Sequence, residues 1–233
     1  NTSVLWTLEV TYTSTSFSPG SEFFFGLRPN GIIEKRATQD GALIDFIDQT
    51  PGEMTDMVFS PDGTILAASY SDGWIRVYST GNGQLLGVLD GTASALAFSW
   101  DGNLLAAGLS NGAIRIFYLD DGSHIDLTPG HQAAVTALAF SLDGSQLVAG
   151  SNDCNATLWQ VDDAYRIRLL SPGGPNPFQI EAVAQMRSGE WFVTAGNQVE
   201  AVAFDRADFT SSQLLPFGPF TDLAISFDDV YLA

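Results

Sequence analysis

The stretch Phe59-Ser60-Pro61-Asp62-Gly63 returns along the chain as Phe98-Ser99-Trp100-Asp101-Gly102 and again as Phe140-Ser141-Leu142-Asp143-Gly144. Each copy follows small and apolar residues and precedes a short apolar run, the pattern of two strands joined by a turn. A second phrase travels with it: Ser71-Asp72-Gly73-Trp74-Ile75-Arg76-Val77-Tyr78 matches Ser110-Asn111-Gly112-Ala113-Ile114-Arg115-Ile116-Phe117. Its Asp-Gly and Asn-Gly pairs supply the positive φ angles that tight hairpins need.

Working outward from these phrases, the clearest unit predicts strands near residues 54–59, 64–69, 74–79 and 84–89, with turns at Pro61-Asp62-Gly63, Ser71-Asp72-Gly73 and Gly81-Asn82-Gly83. Four short antiparallel strands in a period of roughly 40 residues indicate an all-β fold, a β-propeller of four-stranded blades. The expected blades span 10–48, 49–90, 91–128, 129–172 and 173–216, within one domain covering 1–233. Residues 1–9 read as the outermost strand of a closing blade, and 217–233 as the first two strands of that blade. The closing blade lacks its third strand and there is no initiator Met, so the expectation is an incomplete propeller cut from a longer protein.

The chain has 27 acidic and 9 basic residues, a formal net charge of −18, and Lys35 as its one lysine. Such a surface repels phosphate backbones and anionic headgroups, so neither nucleic acid nor direct membrane insertion is expected, and a neutral or basic protein partner is. With 45% apolar and 15% charged residues the chain can bury a large core. Cys154 is the one cysteine, which rules out an internal disulfide and a cysteine-based metal site. Asn1-Thr2-Ser3 and Asn155-Ala156-Thr157 fit the glycosylation acceptor pattern and lean toward an extracytoplasmic protein, with the compartment left open.

The repeat resembles that of WD-repeat β-propellers. In that family a Gly-His pair precedes the first strand, a Ser or Thr sits on the second, an Asp occupies the turn to the third, and a Trp ends the third. The resemblance implies that these four side chains form a hydrogen-bonded network locking each blade. Gly130-His131, Asp153 and Trp159 stand in the expected places, while Ala149 replaces the Ser or Thr. The network is therefore expected to be interrupted between His131 and Trp159. Asp72 and Tyr78, then Asn111 and Phe117, hold the equivalent positions two units and one unit earlier, with Ala68 and Ala107 at the hydroxyl position and no Gly-His pair. Proteins of this family act mostly as assembly platforms, so the resemblance implies protein binding.

No reactive constellation accompanies the repeats. His131 belongs to the blade motif, and His124 lies on an outer strand facing solvent. The pairs Asp120-Asp121, Asp162-Asp163 and Asp228-Asp229 sit at predicted turns and lack the alternating oxygens of a calcium loop. Arg76 and Arg115 repeat in register with the fold, which suits a structural role better than a site. Neither cofactor nor metal is expected. The first reading is a non-catalytic scaffold for protein–protein interaction in a larger assembly. Its binding face would carry Glu53, Ser71, Ser110, Asn152 and the loop 172–178 with Pro175 and Phe178. The alternative is a propeller enzyme or small-ligand binder using channel acids such as Asp56, Glu181 and Asp222.

Overall fold

The computed structural model describes residues 7, 9–12, 14–18, 21–48, 53–162, 164–170, 180–185, 191–196, 201–205 and 212–215. Among them the regular structure is all β-strand, and no helix is long and apolar enough to cross a membrane. Every sheet is a four-stranded antiparallel meander. The first holds β1 (Ser14–Phe17), β2 (Phe23–Leu27), β3 (Ile33–Ala37) and β4 (Leu43–Asp48). The second holds β5 (Met54–Phe59), β6 (Ile65–Tyr70), β7 (Trp74–Ser79) and β8 (Leu85–Asp90). The third holds β9 (Ala93–Phe98), β10 (Leu104–Leu109), β11 (Ile114–Tyr118) and β12 (His124–Leu127). The fourth holds β13 (Val135–Phe140), β14 (Gln146–Ser151), β15 (Ala156–Gln160) and β16 (Tyr165–Leu170). The fifth holds β17 (Ile180–Gln185), β18 (Trp191–Gly196), β19 (Ala201–Asp205) and β20 (Ser212–Leu215). The chain divides into two compact units, Asn1–Thr92 with the first two sheets and Ala93–Ala233 with the other three.

The repeated phrase forms the turn between first and second strands, and its hydrogen bonds explain which letters repeat. In each copy the Ser Oγ donates to the Asp carboxylate two residues on, at 2.6 Å for Ser60–Asp62, Ser99–Asp101 and Ser141–Asp143. The same Ser Oγ accepts the N–H five residues later, from Ile65 at 3.0 Å, Leu104 at 2.9 Å and Gln146 at 2.9 Å. The Asp accepts the N–H of the residue two positions on, and the Gly takes φ near +70°. The third letter makes none of these bonds. It is free to vary, as Pro61, Trp100 and Leu142 do.

Burial follows strand position within a blade. The second strands β6, β10 and β14 are buried almost throughout, which is why they read as Ala- and Leu-rich runs rather than alternating ones. In the second unit, successive blades meet through their first strands. Ser94 Oγ donates to the Val135 carbonyl at 2.7 Å, and Thr136 Oγ makes the equivalent bond to the Ile180 carbonyl. A side chain at Gly150 would run into Ile180, and one at Gly108 into Val135, so close blade packing requires glycine at that register. The predicted closing strands at 5–8 and 221–233 lie outside the described residues, Thr7 apart.

Candidate functional site

The densest polar arrangement lies in the fourth sheet, where β13, the turn between β14 and β15, and β15 converge. His131 Nδ1 meets the Asp153 carboxylate at 3.0 Å, and its Nε2 meets Thr157 Oγ1 at 2.8 Å. The Trp159 indole N–H donates to the same Thr157 oxygen at 2.8 Å. The relay Asp153, His131, Thr157, Trp159 is thus unbroken, contrary to the interruption that Ala149 led us to expect. The physical reason is register: Ala149 on β14 lies directly opposite Thr157 on β15. A hydroxyl missing from the second strand is replaced by one on the third, across the same ladder position. With the proton on His131 Nδ1, that N–H donates to Asp153, the Thr157 O–H donates to Nε2, and the indole donates to Thr157. That tautomer leaves no donor of the chain without an acceptor.

Asp153 also accepts the backbone N–H groups of Gln132 at 2.9 Å and Asn155 at 3.0 Å. Burial works to raise its pKa, and the Gln132 N–H and the neighbouring His131 outweigh that effect, so the carboxyl titrates below the ordinary aspartate value. The Gly130-His131 segment is held against the preceding blade, with the His131 N–H donating to the Gly112 carbonyl at 2.8 Å. A Cβ on Gly112 would lie 2.2 Å from the His131 oxygen, and Gly112 has φ +89°, so both space and backbone demand glycine there. The matching position in the fourth sheet is Cys154, at φ +69°, a conformation that costs a residue with a side chain.

A family model described as "WD domain, G-beta repeat" matches residues 45–79, 83–117 and 122–160. The chain belongs to the WD-repeat family. Each matched stretch takes in the outermost strand of one sheet and the first three strands of the next, from within β4 to the end of β15, and the all-β chain has the fold of an incomplete WD-repeat propeller. A solved structure described as "Structure of U3-55K" is similar over 73% of this chain at TM-score 0.64 and 23% identity. The similar region spans 54% of that other chain, and the likeness is one of fold. No curated protein matches the sequence.

The other two WD repeats fill the hydroxyl register differently. Arg76 stands opposite Ala68, and Arg115 opposite Ala107. Arg76 Nη2 reaches back to the turn carboxylate of Asp72 at 2.6 Å, with its guanidinium 4.5 Å from the centre of the Tyr70 ring. Arg115 Nε reaches across to Asp126 on β12 at 2.7 Å. Asn111 accepts the Ala113 N–H at 3.0 Å and closes its turn. The aromatic positions Tyr78, Phe117 and Trp159 are buried in all three blades.

The residues expected on the binding face fall at one end of their blades. The Ser71 N–H donates to the Glu53 carbonyl at 2.8 Å, and the Asn152 N–H to the Ala134 carbonyl at 3.0 Å. Each bond places the turn between second and third strands beside the start of the first. Glu53, Ser71 and Ser110 are exposed and Asn152 is half-buried. Pro175, Phe178 and the rest of the loop 172–178 lie outside the described residues, as does Asp222. Asp56 accepts the Met57 N–H at 2.8 Å, Glu181 lies on β17, and Asp121 accepts the Ser123 N–H at 2.8 Å. Among the described residues no group of His, Cys, Asp or Glu is arranged to hold a metal ion. In the triplet Asn155-Ala156-Thr157, the Asn155 amide donates to the Asp153 carbonyl at 3.0 Å and Thr157 belongs to the relay.

Sequence reasoning missed a second polar cluster, on β3. Glu34 is fully buried, accepts the Tyr12 hydroxyl at 2.5 Å and Arg36 Nε at 2.9 Å, and pairs with Arg28. Burial works to raise the Glu34 pKa, and Tyr12 and Arg36 outweigh it, so the group is held ionised. Beside it the lysine Lys35 donates from Nζ to the Thr80 carbonyl at 2.8 Å, tying the first blade to the second. The signal was the run Glu34-Lys35-Arg36 between Ile33 and Ala37, now seen to be β3, where charges survive burial only in pairs.

Proposed function

We propose that the chain is a non-catalytic platform that binds partner proteins within a larger assembly, through the blade ends bearing Glu53, Ser71, Ser110 and Asn152. WD repeats generally mediate protein–protein interaction in assemblies, and the observation supporting this reading here is how the polar side chains are used. In the three WD-repeat blades the groups that could do chemistry, His131, Asp153, Asp72 and Arg76, are bonded to one another inside single blades. The turns at these blade ends offer exposed hydroxyl and carboxylate groups, each held by backbone hydrogen bonds of its own blade, which suits recognition more than turnover. In this reading residues 1–233 act as one propeller domain, with 172–178 on the binding face.

Within residues 1–233 an amine-directed cross-linker finds no exposed lysine, because Lys35 is buried and its Nζ is engaged. Photo-cross-linking residues placed at 71 and 110 in the full protein give the direct test. Capture of the same partner from both sites, and its loss in the variants S71R and S110R, is the expected result. A divalent-ion-dependent turnover removed by Asp56→Asn or Glu181→Gln would overturn the platform reading in favour of channel chemistry.

A further inference from the structure

Two partly exposed apolar side chains stand on adjoining turns of the third and fourth blades. Trp100 is 50% exposed and Leu142 41%, each as the third letter of the repeated phrase. That surface stays open with all present contacts of both side chains in place. The Ser and Asp of the phrase close the turn and the third letter takes no part in that bonding, so a polar residue there would serve the turn equally well. The two turns lie side by side: a Cβ on Gly144, two residues past Leu142, would be 4.0 Å from the Cβ of Ser99, the residue before Trp100. Single apolar residues scattered over a surface are ordinary, whereas a Trp and a Leu on adjoining turns offer one larger apolar area to a partner.

Charge selects the occupant. In each of these blades the turn between third and fourth strands is bonded to the phrase turn, the Leu119 N–H donating to the Asn103 carbonyl at 3.0 Å and the Val161 N–H to the Ser145 carbonyl at 2.9 Å. Acidic residues follow directly, and Asp120, Asp121 and Asp162 are all exposed. Asp101 and Asp143 on the phrase turns are exposed too, with their carboxylates bonded inside those turns. Asp120 and Asp162 make no hydrogen bond or ion pair among the described residues. No residue of 99–103, 118–123, 141–145 or 160–164 is basic. Such a surface repels phosphate groups, anionic lipid and a second copy of this chain at a net charge of −18, and it attracts lysine and arginine.

We infer that these adjoining turns dock a basic segment of a partner protein, one in which aliphatic residues are bracketed by arginine or lysine. The aliphatic side chains cover Trp100 and Leu142, and the long flanking side chains carry their cations out to Asp120 and Asp162. The surface lies at the opposite end of these blades from Ser110 and Asn152, and neither reading depends on the other.

The probes are a short synthetic peptide with a pair of leucines bracketed by arginines, the same peptide with serine in place of leucine, and the same peptide with glutamate in place of arginine. Binding to the full protein is followed by calorimetry over a range of salt concentrations. The expected result is that the leucine–arginine peptide binds, that the serine peptide binds about tenfold or more weakly, and that the glutamate peptide does not bind. The affinity for the first peptide falls by about tenfold when W100S and L142S are combined, and D120N with D162N flattens its salt dependence, while S71R and S110R leave it unchanged. Equal binding of the serine peptide reduces the effect to charge attraction and overturns the inference, a comparison made on the unaltered protein and so independent of any variant's folding. Absence of binding, affinity unmoved by W100S with L142S, or loss of the peptide in S110R would each overturn it as well.

Discussion

The blades built on β5–β8 and β13–β16 share strand order and the pairing of second and third strands, yet they hold their third strands by opposite means. In the later blade a chain of hydrogen bonds runs from Asp153 through His131 and Thr157 to a fully buried Trp159. In the earlier one the same ladder position carries Arg76, which turns outward to Asp72 at the surface, and the buried aromatic is Tyr78. One register can accept either solution because the opposing residue, Ala68 or Ala149, is small and contributes nothing polar. The inner solution is shielded from water and salt. The outer one is not, and exposed ion pairs of that kind contribute little.

Truncating the aromatic should separate the blades most. Trp159→Ala is expected to cost about 3–5 kcal/mol, the range for large aromatics in packed interiors, as read by urea unfolding. Thr157→Val keeps the shape and strands both His131 Nε2 and the indole N–H, for an expected loss of about 1–3 kcal/mol. Adding Ala149→Ser to that variant restores a hydroxyl at the position opposite, and part of the loss should return. If it does not, the relay depends on the third-strand placement and the two registers are not interchangeable.

The acid response should differ in the same direction. A carboxyl held below its ordinary value stabilises the fold above the unfolded pKa of about 3.9 and loses that contribution as pH falls through the folded value. Asp153 and Asp72 are both depressed, Asp72 mainly by its bond to Arg76. The Tm difference between the protein and Asp153→Asn should be clear at neutral pH and close as pH drops below about 4. For Asp72→Asn the difference should be small throughout and vanish in high salt, because the Asp72 side chain is 46% exposed. The smallest expected effect is a gain. Cys154→Gly should stabilise by up to about 1 kcal/mol, since glycine adopts the φ +69° of that turn without strain.

Much of this was legible in the residues. The phrase at Phe59, Phe98 and Phe140 located three turns, and the predicted strand at 74–79 coincides with β7 (Trp74–Ser79), while the one at 64–69 is offset by a residue from β6 (Ile65–Tyr70). Aromatic burial at Tyr78, Phe117 and Trp159 followed from the same register. The relay was misjudged because its hydroxyl was sought along one strand. A sequence orders residues along the chain, and Thr157 replaces Ala149 across it, a relation that exists only once two strands pair.

What the sequence determined alone was everything local and periodic: the turns, fixed by Ser and Asp side chains bonding to their own backbone, the strand alternation, and the repeat that makes the chain a WD-repeat propeller. What the tertiary structure decided was partnership between residues far apart in sequence. It chose Thr157 for His131, Glu34 for Tyr12 and Arg36, and the Thr80 carbonyl for Lys35, and it set Trp100 and Leu142 on adjoining turns. Local backbone bonding is written within a few residues, whereas a buried polar group takes whatever partner the packing brings within about 3 Å, and that distance is set by the fold as a whole.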